Sequence, residues 1–314
     1  MTRIFILGGG GMIGQKLAGQ LLAEDPSADI TLHDIAFPPN GVACKQQTGD
    51  VSDPATMAAI AREKYDTIYH LASIVSGEAE QQFTKGWTTN LHAMMNLLEG
   101  LRTADHCPRI VFTSSIAVFG GPYPDVITDD YLQSPQTSYG AQKLACEVLL
   151  QDYSRKGFVD GISLRLPTIC VRPGKPNLAA SSFFSGIIRE PLNGQEAILP
   201  VDDSTRHWFA SPRAAAGFLI HASQLDTATL NGRRALNLPG ISCTVAEQIE
   251  ALRDIAGQDA VDLIKPAHDP DIAKIVAGWP RNFAPNRAKE LGFKAETSFA
   301  DIIKTYIAED MPQK

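Results

Sequence analysis

The chain has 314 residues, of which 28 are lysine or arginine and 35 are aspartate or glutamate, so its formal net charge is −7 with neutral histidines. This acidic balance lacks the basic footprint of a nucleic-acid-binding protein, and the 44% of hydrophobic residues excludes a disordered or fibrous chain. The five cysteines include no Cys-x-x-Cys pair, which favours a cytoplasmic location over a disulfide framework or a zinc site. We expect no signal peptide and no membrane association, because no run reaches the roughly 18 apolar residues of a span.

Short apolar runs alternate with helical patterns through the first half of the chain. The predicted strands cover residues 4–7, 29–32, 67–71, 109–113 and 161–166. A helix follows the first strand, where Ile13, Leu17 and Leu21 recur on one face, and further helices are predicted at 54–63, 90–101 and 139–155. Strands alternating with helices predict parallel pairing with right-handed crossovers. Residues 1–166 are therefore predicted to form a doubly wound α/β sheet.

The pattern changes after Pro167. Residues 172–177 are rich in proline and glycine, and the later elements are shorter, with helices predicted at 211–222, 245–256 and 298–308. We predict that residues 167–314 form a smaller α/β lobe that binds the substrate at the carboxyl ends of the sheet strands. Some segments of this lobe are expected to return to the sheet.

Three glycines, Gly8, Gly11 and Gly14, stand three residues apart where the first strand passes into the first helix. Glycine at these positions permits a tight turn and lets a pyrophosphate approach the backbone. Met12 and Ile13 would offer backbone N–H groups at the helix N-terminus, where the helix dipole favours an anion. A plain turn is the alternative, because short glycine motifs also occur by chance.

Asp34 follows Gly14 by 20 residues and ends the second strand. An acid at this place can accept the ribose hydroxyls of an adenosine. It would also repel a 2′-phosphate, and no lysine or arginine occurs between Asp34 and Lys45, so the predicted cofactor is NAD and not NADP. Asp50 and Val51 are predicted to lie at the adenine. An ordinary turn acid is the alternative for Asp34, and a helix cap or loop acid is the alternative for Asp50.

Ser115 follows the strand predicted at 109–113, and Tyr139 and Lys143 are four residues apart on a predicted helix, so the last two share a face. A free phenol, with its pKa of about 10, is a weak base near neutral pH, but a neighbouring ammonium favours the phenolate. Tyr139 can then take a proton from a substrate hydroxyl, while Lys143 binds the nicotinamide ribose and Ser115 holds the substrate oxygen. In isolation, a surface pair is the commoner explanation of such Tyr and Lys residues.

In this order the motifs resemble those of the extended short-chain dehydrogenase/reductase family, which contains nucleotide-sugar epimerases and dehydratases. The matching stretches are Leu-Gly-Gly-Gly-Gly-Met-Ile-Gly at 7–14, Gly-Asp-Val at 49–51, His-Leu-Ala-Ser at 70–73, Thr-Ser-Ser at 113–115, Val-Phe-Gly at 118–120 and Ser-Tyr-Gly-Ala-Gln-Lys at 138–143. The resemblance implies that Ser115, Tyr139 and Lys143 are catalytic and that Leu71, Ala72 and Asn90 lie near the cofactor. A polar helix cap is the alternative for Asn90.

The resemblance to the nucleotide-sugar members ends after Leu166. Those members usually carry an Asn-Val-Tyr-Gly-Pro-like run there, whereas this chain has Leu-Pro-Thr-Ile-Cys-Val-Arg-Pro-Gly at 166–174. Together with Arg-His-Trp-Phe-Ala-Ser-Pro-Arg at 206–213, this segment resembles a branch that oxidises the C2 hydroxyl of a small sugar acid with NAD. The resemblance thus implies a small sugar-acid substrate. A sugar epimerase or dehydratase that keeps NAD bound, and a uronate dehydrogenase, are the alternatives.

A sugar acid carries a carboxylate, which the planar fork of arginine binds well. Arg172 is the candidate for this contact, and Ser73 and Thr168 are candidates for binding substrate hydroxyls. A surface arginine and hydroxyls that satisfy loop backbone groups are the alternatives. His207 is interpreted as a structural hydrogen-bonding residue, and no histidine has partners at metal-ligand spacing, so no metal is expected.

A nucleotide-sensing protein without chemistry would not require Ser115, Tyr139 and Lys143, which favours an enzyme. The family often pairs the helices that correspond to residues 90–101 and 139–155 across a two-fold axis. The resemblance therefore implies a homodimer.

Overall fold

The computed structural model describes residues 2–174 and 180–311, so the predicted turn-rich segment 172–177 lies partly outside the described residues. The chain divides into two compact units. The first comprises Met1–Val118, Pro135–Leu166 and Ala216–Asn237, and the second comprises Phe119–Ser134, Pro167–Ala215 and Leu238–Lys314. The predicted boundary after Leu166 is one of the points at which the chain passes from the first unit to the second.

The secondary structure is as follows. The strands are β1 (Arg3–Leu7), β2 (Asp29–Asp34), β3 (Lys45–Thr48), β4 (Thr67–His70), β5 (Arg109–Ser115), β6 (Ile127–Thr128), β7 (Asp160–Leu166), β8 (Thr168–Ile169), β9 (Ala197–Leu199), β10 (Arg206–Ala210), β11 (Ala235–Asn237), β12 (Ile241–Thr244), β13 (Ile264–Pro266) and β14 (Phe283–Ala284). The α-helices are α1 (Met12–Glu24), α2 (Pro54–Arg62), α3 (Ser76–Gln81), α4 (Phe83–Gly86), α5 (Ala93–Thr103), α6 (Ser138–Arg155), α7 (Ser182–Leu192), α8 (Pro212–Gln224), α9 (Val245–Ala256), α10 (Gln258–Val261), α11 (Pro270–Ala277), α12 (Asn286–Glu290) and α13 (Phe299–Glu309).

The first unit is built on a seven-stranded sheet with the order β11-β7-β5-β4-β1-β2-β3. All of its strands run parallel. From β1 the chain first moves to β2 and β3 on one side and then to β4 and β5 on the other. The point of reversal therefore lies beside β1, where open α/β sheets bind their ligands. The predicted doubly wound parallel sheet is confirmed.

The core of the first unit lies between the sheet and its helices. Phe5, Ile68 and Phe112 project from β1, β4 and β5 into one apolar cluster, together with Leu97 of α5 and Leu150 of α6. These strands read as nearly continuous apolar runs because a parallel sheet is buried on both faces. The buried side chains hold β1 and β5 in place within the sheet. The carboxyl ends of these two strands carry the predicted site.

The second unit contains three small sheets, with the orders β12-β10-β8, β13-β9 and β14-β6. Its apolar cluster includes Phe184, Phe209 and Tyr306. Residues 119–134 belong to this unit because β6 pairs with β14. Residues 216–237 belong to the first unit because β11 completes the large sheet beside β7.

Helix ends follow local capping chemistry. Thr137 caps α6 by accepting the N–H of Gly140, and Thr244 and Glu247 form a capping box at α9, which spans the predicted residues 245–256. The predicted helix at 90–101 begins earlier, because the chain is π-helical over Trp87–His92 before α5. Over the described residues, every helix is too short or too polar to cross a bilayer.

Candidate active site

The turn after β1 folds closely against its neighbours. Gly8 has φ +83°, and a Cβ on it would lie 2.7 Å from the backbone nitrogen of Ala72, in the loop after β4. A Cβ on Gly14 would lie 2.4 Å from the carbonyl oxygen of Gly8. The N–H of Gly8 donates to the carbonyl oxygen of His33 at 2.9 Å. Only glycine tolerates these contacts, and the backbone of Leu71 and Ala72 lies directly beside the turn.

Helix α1 begins in this turn. Gly11 is its N-cap residue, and within the part of the chain that the structure describes no side chain caps the first turn, which also holds no acid. The N–H groups of Met12 and Ile13 have no intrahelical acceptor, and they lie at the positive end of the helix dipole. The narrow glycine turn and these free donors fit the pyrophosphate of a dinucleotide.

Asp34 ends β2 next to the glycine turn. Its carboxylate accepts the N–H of Gly10 at 3.0 Å and the N–H of Ile35 at 2.7 Å. The nearest lysine in the sequence after it, Lys45, is 2.6 Å from Asp29 and is thereby paired at the other end of the strand. Lys45 therefore does not neutralise the carboxylate of Asp34. An unneutralised carboxylate at this place repels the 2′-phosphate of NADP.

The next acid in the chain, Asp50, is exposed in the loop after β3. The N-cap of α2 is Asp53, whose carboxylate accepts two backbone N–H groups, so the alternative of Asp50 as the helix cap is wrong. The side chain of Val51 belongs to the apolar core.

His33 on β2 lies close to both acids. Burial lowers the pKa of the His33 imidazole, although the carboxylates of Asp34 and Asp50 act in the opposite direction.

Asn90 lies inside the π-helical stretch and is only 2% exposed. Its Oδ1 accepts the N–H of Ile74 at 2.9 Å, and its Nδ2 donates to Oε1 of Gln142 at 2.7 Å. Asn90 therefore joins the loop after β4 to α6. The alternative of Asn90 as a helix cap is wrong, because the helical chain begins upstream. Its partner Gln142 was not identified from the sequence, although a polar residue beside Lys143 on a buried helix was a usable signal.

The three proposed catalytic side chains come from the end of β5 and the start of α6. Lys143 is 2% exposed, and its Nζ donates to the carbonyl oxygen of Thr113 at 2.9 Å. The same Nζ lies 4.8 Å from the ring centroid of Phe112 and 5.5 Å from that of Tyr139. Aromatic faces stabilise a buried ammonium. The structure thus places the side chain of Lys143 beside the ring of Tyr139. Thr113, which accepts its hydrogen bond, lies two residues before Ser115 at the end of β5.

Gly140 brings the first turn of α6 against the turn that follows Ser115. A Cβ on Gly140 would lie 2.1 Å from the carbonyl oxygen of Ala117, and the N–H of Ala117 donates to Oγ of Ser115 at 3.1 Å. The first turn of α6, which carries Tyr139, therefore packs against the turn after β5, and the hydroxyl of Ser115 keeps its own hydrogen for donation. The packing role of Gly140 was not identified from the sequence, yet a glycine inside a helix costs about 1 kcal/mol relative to alanine and so indicates a packing reason.

Thr168 and His207 lie in the second unit. The hydroxyl of Thr168 and Nε2 of His207 are 2.6 Å apart, and the imidazole stacks on Phe184 at 5.4 Å. Burial lowers the pKa of His207 to about 3, so the ring is neutral near pH 7. A neutral imidazole can orient the hydroxyl of Thr168, but it has no positive charge with which to bind a substrate carboxylate.

Arg172 also lies in the second unit. Its Nε donates to the carbonyl oxygen of Ile169 at 2.9 Å, and its Nη2 donates to Oγ of Ser181 at 3.0 Å. These contacts fix the plane of the guanidinium. Ser73 is partly buried in the loop after β4 of the first unit. The roles of these residues in substrate binding stay predictions.

The glycine turn, the acid at the end of β2 and the group of Ser115, Tyr139 and Lys143 are arranged as expected for a dinucleotide-dependent oxidoreductase of the short-chain type. The sequence matches the NAD dependent epimerase/dehydratase family over residues 4–229. The chain belongs to this family, and it is an NAD-dependent enzyme.

Similar proteins cover nearly the whole chain. It is 45% identical to the D-erythronate dehydrogenase of Cupriavidus necator, covering 98% of both chains. It is 43% identical to the D-erythronate dehydrogenase of Haemophilus influenzae, covering 98% of this chain and 100% of the relative. A crystal structure described as the nucleoside-diphosphate-sugar epimerase from Agrobacterium tumefaciens is 49% identical, with a TM-score of 0.94 over 98% of this chain and 94% of the other.

Proposed function

We propose that the protein oxidises the C2 hydroxyl of D-erythronate, with NAD, to the 2-keto acid 2-dehydro-D-erythronate. The observation that carries this proposal is the 43–45% identity, over 98% of the chain, to two proteins named D-erythronate dehydrogenase. The proposal is supported by the geometry around Tyr139, which suits removal of a proton from an alcohol.

The cofactor would be held along the carboxyl ends of β1, β2 and β4. Gly8, Gly11, Met12, Ile13 and Gly14 would bind the pyrophosphate through the backbone and the helix N-terminus. Asp34 would accept the ribose hydroxyls, and Asp50 and Val51 would lie at the adenine. Leu71, Ala72 and Asn90 would line the remaining length, with Tyr139 and Lys143 at the nicotinamide ribose. When bound, NAD supplies the acceptor for the hydride that leaves the carbinol carbon.

The chain's own residues manage the proton. Tyr139 takes the proton from the C2 hydroxyl, while the hydroxyl of Ser115 donates to the same substrate oxygen and limits the charge that builds on it. The side chain of Lys143 lies beside this base, with its Nζ 5.5 Å from the tyrosine ring centroid. Thr113 holds that Nζ through its carbonyl oxygen. Tyr139 and Ser115 would thus supply a base and a hydrogen-bond donor to the same substrate oxygen.

The substrate carboxylate is assigned to Arg172, whose fixed guanidinium plane suits a carboxylate. Ser73 and Thr168 are assigned to the substrate hydroxyls. In support of the second assignment, the neutral ring of His207 contacts the hydroxyl of Thr168 and can direct it. These three contacts complete the proposed recognition of a small sugar acid.

The proposal is tested by mixing the purified protein with D-erythronate and NAD and following NADH absorbance at 340 nm. We expect NADH in proportion to the acid consumed. The similarity to a structure described as a nucleoside-diphosphate-sugar epimerase favours one other function, which predicts substrate turnover without net NADH. A uronate dehydrogenase would form NADH with a uronate and not with D-erythronate. Either of these results would replace the proposed substrate.

We expect Asp34→Ser to lower kcat/KM with NAD and to allow the enzyme to use NADP. The substitution removes a charged acceptor for the ribose, which is worth roughly 10- to 100-fold in kcat/KM with NAD, and it removes the repulsion of a 2′-phosphate. Steady-state rates with both cofactors measure the change. Asp29→Ser is the matched control, because Asp29 stands at the other end of the same strand. An unchanged preference between NAD and NADP in Asp34→Ser would refute the assignment.

A homodimer paired through α5 and α6 is proposed as the assembly. The exposed apolar side chains of Met95 on α5 and Val148 on α6 support this surface. Light scattering should give twice the mass of the chain, and a Met95→Glu, Val148→Glu variant should give the mass of one chain. A single-chain mass for the unsubstituted protein would contradict the dimer. A cytoplasmic location stays a prediction, and all five cysteines are free, as that compartment favours.

A further inference from the structure

A buried ion pair joins α6, the helix that carries Tyr139 and Lys143, to β7. The side chains of Arg165 on β7 and Glu147 on α6 are only 7% and 4% exposed. Nη2 of Arg165 donates to Oε2 of Glu147 at 2.7 Å, and Nε donates to Oε1 at 3.0 Å. Paired charges this deep are uncommon, because both lose their hydration. The mechanism above does not use them.

Two neutral groups complete the cluster. Oγ of Ser114 donates to Oε1 of Glu147 at 2.5 Å, and Nη1 of Arg165 donates to Oδ1 of Asn237 at 3.2 Å. Ser114 is paired in register with Arg165 across β5 and β7, and Arg165 is paired with Asn237 across β7 and β11. Three neighbouring strands therefore present one row of polar side chains, which Glu147 joins from α6.

This row connects directly to the proposed catalytic groups. Tyr139, Lys143 and Glu147 recur every four residues on α6 and therefore share one face of the helix. Along β5, the carbonyl oxygen of Thr113 accepts from Lys143, and the side chain of the next residue, Ser114, donates to Glu147. The following residue is Ser115. Two contacts, about 6 Å apart along the helix axis, thus fasten α6 to the end of β5.

We propose that the Glu147–Arg165 pair is a positioning pair that fixes the axial height and rotation of α6 against β7, and thereby against the neighbouring strand β5, so that Tyr139 and Ser115 meet the same substrate oxygen. The inference rests on the proposed function. A buried ion pair adds little stability relative to apolar residues of similar volume, whereas its two directed hydrogen bonds permit one register only. A displacement of about 1 Å at a reacting group lowers the rate by about 10²-fold. The pair therefore matters more for turnover than for folding.

The test removes both charges together, in the full-length protein, as Glu147→Gln with Arg165→Met. Glutamine keeps an acceptor for Ser114, and no unpaired charge is left buried, so the thermal midpoint and NAD affinity should change little. We expect kcat with D-erythronate to fall by roughly 10- to 100-fold, and KM to stay within about threefold. Arg165→Lys, which keeps the charge but loses the fork, should also lower kcat.

The matched control is the double substitution Asp152→Gln with Arg155→Met. It removes an ion pair of the same chemistry and the same 2.7 Å distance from the exposed end of the same helix, and kcat should not change. If the Glu147 and Arg165 double variant keeps the kcat of the unsubstituted protein, or if kcat, NAD affinity and thermal midpoint all fall together, the inference is overturned. An unsubstituted protein that forms no NADH overturns the proposed function, and this inference with it.

Discussion

Replacing Tyr139 by phenylalanine is expected to lower kcat for NADH formation by about 10²- to 10⁴-fold, which is the range that a positioned proton-transfer group contributes. The substitution removes one oxygen and leaves the ring in place beside Lys143. The N-cap of α6, made by Thr137, is not altered. NAD affinity should therefore stay within about threefold of the original. Steady-state kinetics and a fluorescence titration with NAD measure the two quantities.

Tyr153→Phe is the matched control for this loss. Tyr153 lies at the opposite end of the same helix from Tyr139, and its hydroxyl donates to Glu99. Its loss should leave kcat unchanged. If Tyr139→Phe retained more than a tenth of the original kcat, another group would be the base, and the assignment of Ser115 and Lys143 as its partners would also be in doubt.

Local sequence pattern predicted the first unit well. The four-residue recurrence of Leu17 and Leu21 located α1, and apolar runs located β1 and β5, because each signal depends on neighbours within a few residues. The pairing of β6 with β14 and of β11 with β7 was not predicted residue by residue. Such partners are far apart in the sequence, and strands of two or three residues leave no periodic signal.

The site shows the same division between local and distant information. The glycine turn, Asp34, Tyr139 and Lys143 follow from short motifs, and their catalytic and binding roles stay predictions. Asn90 was singled out by resemblance only, and its contact with Gln142 depends on how the π-helical stretch packs against α6. Glu147 was missed because a glutamate on a helix is usually exposed, and its partner on β7 is identified only by the fold.

Two buried histidines should make the protein sensitive to mild acid. Burial lowers the pKa of His70 to about 3, with a smaller contribution from Lys143, and burial likewise lowers the pKa of His207 to about 3, from 6.5 in the unfolded chain. Below pH 6.5 the unfolded chain binds these protons while the native protein does not. The stability that comes from keeping these two histidines neutral is therefore fully present above pH 6.5 and is lost as the pH falls toward 3. At pH 5 each histidine lowers the free energy of unfolding by about 2 kcal/mol.

His70→Leu isolates one of these contributions. Among the residues that the structure describes, neither ring nitrogen of His70 has a hydrogen-bond partner, so an apolar replacement should be tolerated at pH 7. Denaturant unfolding at pH 7 and pH 5 should give a difference in free energy that is about 2 kcal/mol smaller in the variant. His92→Leu is the control, because His92 is exposed and should leave the difference unchanged. An identical pH dependence in His70→Leu would mean that His70 is protonated in the folded protein, and a cation would then lie next to Lys143.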